Sequence, residues 1–141
     1  MSGPSLRKRD AHSSIHEAAL NEARELRELF GEFLHSNQKE KAIQVAEITI
    51  EHWESRTLKH AESEEEGLYK EIVEENNEME KTVIQLTRDH DLMRRIVGEM
   101  KELLQTKEPD ERITMLIDSL IIIDEIHNED EMNCLLSNSE R

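Results

Sequence analysis

The sequence predicts an all-α protein, an up-and-down antiparallel four-helix bundle, on three observations. Glu, Leu, Ile, Ala and Lys are plentiful, while aromatics make up 3% and there are 4 Gly and 2 Pro. That composition suits helices and starves strands and tight turns. Apolar residues recur in steps of three and four along four separate stretches, the signature of amphipathic helices. The breaks between them are short, and short turns between long helices make neighbours antiparallel. At 141 residues the chain holds one domain with a real core and is too short for two comfortable ones.

The elements follow in order. Residues 1–11, with Ser2, Gly3, Pro4 and Ser5, read as a loose arm, with the bundle over 12–136 and a tail over 137–141. Ser13 or Ser14 is the expected N-cap of the first helix, with Glu17 at capping-box distance from Ser14. Its stripe runs through His16, Leu20, Ala23, Leu26, Phe30, Phe33 and Leu34, and His35 to Gln38 form a turn. The second stripe is Ile43, Ala46, Ile50, Trp53, Thr57, His60, Glu64, Leu68 and Ile72, broken at Glu75 to Glu78. The third is Val83, Leu86, His90, Met93, Val97, Met100 and Leu104, ended by a turn from Gln105 to Asp110 that contains Pro109. The last is Ile113, Leu116, Leu120, Ile123, His127, Glu131 and Cys134.

Charge and composition exclude several classes. A formal net charge of −15 would be repelled by nucleic acid or an anionic membrane, so neither is expected as a partner. No apolar run approaches the ~20 residues that a membrane-spanning helix needs. The basic, polar start lacks the apolar stretch of a secretory signal, and Gly3 stands one place too late for myristoylation. The single cysteine, Cys134, cannot form an internal disulfide, which fits a reducing compartment. The expectation is a soluble, cytoplasmic protein.

The polar residues on the apolar stripes carry the chemistry. His60-x-x-x-Glu64 and His127-x-x-x-Glu131 repeat one pattern, and His16 and His90 precede the two copies on stripes of their own. An i, i+4 pair projects from one helix face one turn apart, so each pair offers an imidazole and a carboxylate to one small volume. His16 lies about 20 residues before the first turn and His60 about 23 after it; His60 lies about 16 before the second and His90 about 13 after it; His90 and His127 lie roughly 17 on either side of the third. In antiparallel helices all four histidines reach nearly one height and can share a site. Neutral imidazole with carboxylate suits Fe, Mn, Zn or Cu better than Ca or Mg. The six candidate ligands are therefore His16, His60, Glu64, His90, His127 and Glu131. The simplest arrangement gives His16 and His60 to one ion, His90 and His127 to the other, with both carboxylates and an oxide or hydroxide as bridges. Each ion keeps a position open for water, O2, NO or peroxide. Without metal, two facing carboxylates in an apolar core are expected to be pushed toward protonation.

Neighbouring residues have milder readings. His12, one turn before His16 on the same face, is its rival, and both can bind. His35 and His52 read as surface residues, and Glu62, Glu65 and Glu66 as a solvated run, although Glu65 can reach a metal or an imidazole. Tyr69 is a remoter ligand or redox partner, Asp124 a candidate to orient His127, and Cys134 plain core. A ferritin-like oxidase needs Glu-x-x-His on two helices, and Thr57 and Thr87 occupy the positions before His60 and His90. No nucleophile, base and orienter come together, so no established catalysis is expected beyond weak peroxidase-like or oxygen-reducing turnover by iron. A metal-free acidic interaction module would account for the charge but not for the aligned ligands.

The ordered set of His16, Trp53…His60-Ala-Glu-Ser-Glu64-Glu65-Glu66-Gly67-Leu68-Tyr69, Arg88-Asp89-His90-Asp91-Leu92-Met93-Arg94 and His127-Asn-Glu-Asp-Glu131 resembles the hemerythrin-like (HHE cation-binding) domain family over about residues 12–136. That resemblance implies a four-helix bundle around a non-haem diiron centre, two Fe ions, with Mn or Zn as lesser choices. Oxygen carriers of the family have a further histidine four residues after the first one of the third helix. Arg94 stands there, so reversible O2 transport is not implied. The resemblance points instead to members that bind or sense O2, NO, peroxide or iron.

Overall fold

The computed structural model describes residues 9–106 and 108–136, which form four long helices and no strand. Helix α1 spans Arg9–His35. Helix α2 occupies residues 39–75, helix α3 spans Glu80–Gln105, and helix α4 occupies residues 111–136. Of the arm expected over 1–11, residues 1–8 lie outside the described residues, as does the tail over 137–141, and 9–11 are already helical. Ser13 and Ser14 therefore lie inside α1, exposed, and do not cap it.

Local chemistry ends the helices. Asn37 adopts a left-handed φ of 60°, and Gln38 and Asn37 donate to the carbonyls of Phe33 and Leu34 at 2.9 and 3.3 Å. This is the bonding of a Schellman cap, with Asn in the place glycine usually takes. Asn76 turns extended and its side chain accepts from Glu78 N at 3.1 Å, opening a short 3-10 turn, Asn77–Met79, ahead of α3. Asp110 caps α4 by accepting from Arg112 N at 3.0 Å.

Two helices are not regular. Helix α2 is α-helical over Lys39–His52, Leu58–Ser63 and Tyr69–Glu75, with π-helical turns at Trp53–Thr57 and Glu64–Leu68. Helix α4 is α-helical over Glu111–Asp130 and π-helical over Glu131–Leu136. At 3.6 residues per turn, successive steps of four drift around an α-helix. The wider π turn absorbs that drift, keeping His60, Glu64, Leu68 and Ile72 directed inward together. It also moves the buried face near the end of α4 by one residue: Leu135 is buried and Cys134, expected in the core, is exposed.

Each helix packs on two others, α1 on α2 and α4, and α3 on α2 and α4, consistent with a four-helix bundle. Arg27 pairs with Asp118 at 2.7 Å between α1 and α4, and Arg112 pairs with Glu99 at 2.7 Å between α4 and α3. The larger apolar cluster includes Leu20, Phe30, Trp53, Met93, Ile117 and Leu120. A smaller one, with Leu68, Tyr69, Ile72, Leu86 and Leu135, lies on the other side of the histidines. The polar residues thus form a layer between two apolar ones. Among the described residues no helix is long and apolar enough to cross a membrane.

Candidate metal centre

All six residues singled out from the sequence meet in that layer. Glu64, Glu131 and His127 are fully buried, His90 and His16 are buried, and His60 is largely covered. His12 joins them with no exposed surface. Two groups each bring their ligand atoms within 4.8 Å of one another: His12, His16, His60 and Glu64, then Glu64, His90, His127 and Glu131.

The two carboxylates connect the groups. Glu64 turns Oε2 toward His12 at 3.0 Å and His60 at 3.5 Å, and Oε1 toward His90 at 3.3 Å. Glu131 turns Oε1 toward His12 and, at 3.2 Å, His16, and Oε2 toward His127 at 3.3 Å. Each acid therefore divides its oxygens between two sets of imidazoles. Both glutamates open π turns, a distortion frequent at functional sites.

Residues around this layer hold the rings. Glu65 Oε2 accepts from His90 Nδ1 at 2.7 Å, and Asp89 Oδ2 accepts from His127 Nδ1 at 2.9 Å. With the hydrogen on Nδ1, each ring leaves Nε2 to the interior, where the two Nε2 atoms lie 3.1 Å apart. Tyr69 donates its hydroxyl to Glu131 and, at 3.4 Å, to Glu64, and its ring stacks on His90 at 5.8 Å. The ring orientation expected of Asp124 belongs to Asp89; Asp124 is buried with Oδ1 making no hydrogen bond. His52, expected on the surface, is buried and donates Nε2–H to the carbonyl of Ala19 at 2.9 Å. His35 ends α1 and is exposed. Glu62 and Glu66 are exposed, whereas Glu65 is half-buried by its two bonds.

Electrostatics decides how such a layer survives. Burying a Leu or Ile contributes about 1.5–3 kcal/mol, while an unpaired buried ion costs several kcal/mol. Burial pushes the Glu64 carboxyl up and the Glu131 charge adds to it, yet His12, His60 and His90 outweigh both and hold it down at about 2. Burial likewise opposes ionisation of Glu131, but His12, His127 and His16 keep it well below the usual carboxylate range. The protonation expected of these acids without metal is therefore overturned, because the imidazoles compensate their charge. In return, against the effect of burial, bonds to Glu131 and Glu64 raise His12 to about 10, and bonds to Asp89 and Glu131 raise His127 to about 10. Burial lifts Asp124 to about 6.

The donor set also fits a metal on its own terms. His60 Nε2 is buried, faces Glu64 Oε2 at 3.5 Å, and makes no hydrogen bond. A cation between these atoms would satisfy that nitrogen. A family model, the hemerythrin HHE cation binding domain, matches residues 10–134. The chain belongs to the hemerythrin family. Membership of this cation-binding family implies metal binding, and the two His/Glu groups of this hemerythrin domain could hold a metal. No curated protein and no solved structure matched the chain.

Proposed function

We propose that this hemerythrin domain is a non-haem diiron protein that binds or senses a small oxidant or diatomic ligand, O2, NO or peroxide. The observation that carries this reading is the division of both buried carboxylates between two groups of imidazoles. His16 and His60 would serve one iron and His90 and His127 the other, with Glu64 and Glu131 shared. The side-chain pairs along the four helices support an antiparallel, up-and-down order: His12 meets Glu131 while Arg27 meets Asp118, and Asp89 meets His127 while Glu99 meets Arg112. With Cys134 as its single cysteine the sequence forms no internal disulfide, which fits a reducing, cytoplasmic setting.

A bound iron pair supplies redox chemistry and coordination positions for a small ligand. The chain does the rest. Asp89 and Glu65 fix two rings, Tyr69 holds a proton at Glu131 Oε2, and the apolar layers on either side exclude bulk water. A cleft of about 250 Å³ between α1 and α4, lined by His16, Leu20, Asn128 and Met132 among others, brings outside space up to the edge of the layer at His16.

The test uses azide, a small anion, as a probe of an open position. Oxidised, iron-loaded protein should show near-ultraviolet charge-transfer absorption that moves as azide is added. A spectrum unchanged by azide, with iron bound, would contradict an open position.

A further inference from the structure

We infer that His12 is a further ligand of this centre, so that one ion takes three imidazoles, His12, His16 and His60, and the other takes two, His90 and His127. The inference rests on the two-metal reading above and deepens it.

Three observations carry it. His12 and His16 stand four residues apart on α1, and a four-residue step places both on one face. Their Nε2 atoms converge to 2.8 Å, and the rings of His12, His16 and His60 lie within 4.6, 5.2 and 5.0 Å of one another. His12 Nε2 also faces Glu64 Oε2 at 3.0 Å and touches Glu131, with the ring fully buried. A ring present only for packing would turn carbon, not nitrogen, toward two carboxylates. A ring present only as a hydrogen-bond donor would meet one acceptor rather than two acids and a second imidazole nitrogen.

The opposite side has no such addition. One turn after His90 stands Arg94, whose guanidinium is directed at Glu65 and Asp91 at 2.9 Å each and has no lone pair to offer. With one oxygen from each carboxylate, the first ion gains five protein donors and the second four. The two ions are therefore unequal, and the one held by His90 and His127 has more room for an external ligand. Tyr69, stacked on His90, lies beside that position.

The test is histidine side-chain nitrogen NMR of the whole chain loaded with zinc, a diamagnetic probe. The expected result is two zincs per chain, with His12 Nε2 at a metal-bound shift alongside the other four imidazoles, and His35 and His52 unmoved by zinc. Two bound zincs with the His12 ring nitrogens at uncoordinated shifts would overturn the inference and leave the two-metal reading standing. Fewer than two zincs would overturn both. Zinc competition with His12→Gln provides a second measurement. Groups that merely orient a ligand already affect affinity by about 10–100-fold, so losing His12 should weaken one of the two zincs by roughly tenfold or more. Equal affinities in His12→Gln and the parent would overturn the inference.

Discussion

Arg94 Nη2 donates to Glu65 Oε2 at 2.9 Å, and the same oxygen accepts from His90 Nδ1 at 2.7 Å. A cation on one turn of α3 thus steadies the acid on α2 that orients an imidazole one turn earlier. Arg94→Leu should leave helix content unchanged and raise metal release to a competing chelator by about 10–100-fold, the usual range for losing such a support. Arg94→Lys should fall between, because an ammonium cannot keep the planar fork that reaches both Glu65 and Asp91. Parent-like retention in Arg94→Leu would show that Glu65 holds His90 unaided.

The same residue shapes the response to oxygen. With Arg94 committed to Glu65 and Asp91, an ion beside His90 would lack an imidazole from that position. Air admitted to the reduced, iron-loaded protein should give oxidation and no long-lived reversible adduct. Spectra that cycle repeatedly between air and vacuum without loss would contradict this.

Acidity should separate the loaded and metal-free proteins. The carboxylates, with folded values held below 4.5, stabilise the metal-free fold above about pH 4.5, and Glu64 loses that contribution as pH falls toward about 2. His12 and His127, raised from 6.5 to about 10, stabilise it fully below 6.5 and lose that contribution as pH rises toward 10. Metal-free protein should therefore melt at its highest temperature between about pH 4.5 and 6.5. Metal needs deprotonated imidazoles, so loading at pH 7 should release about two protons per chain, and the rise in Tm on loading should grow from pH 6 to 9. Calorimetry in buffers of different ionisation enthalpy measures the protons; none released would contradict the protonated imidazoles.

The shared acids have their own consequence. Chelation should lower the Tm of the parent while much of the helix remains, because the apolar layers stay buried. Glu64→Ala and Glu131→Ala should each lose metal, and chelator should destabilise each further by less than it does the parent. His35→Ala, at an exposed helix end, should match the parent in both assays. A parent melting curve unmoved by chelator would remove the stabilising role assigned to metal.

Much of this was legible in the residues. Steps of three and four located the four helices, and the shared height of His16, His60, His90 and His127 located the layer they occupy. The π turns were not read, although the succession His60, Glu64, Leu68, Ile72 carried a signal: a straight α-helix cannot keep steps of four on one face for long. Missing the corresponding turn in α4 misplaced Cys134 by one residue. Asp124 was the candidate because it is near His127 in sequence, whereas the partner, Asp89, comes from another helix. His52 was assigned to the surface for lying off the main stripe, but a π turn begins at the next residue and its nitrogen finds a carbonyl on α1. Partners across helices depend on packing, which a single sequence shows only as periodicity.

The number of irons per chain tests the central claim most directly. Protein purified from iron-replete cells should contain about two irons per chain, one for each group of imidazoles that Glu64 and Glu131 both face, and should absorb in the near ultraviolet when oxidised. One tightly held zinc, or no metal from replete cells, would contradict the diiron account.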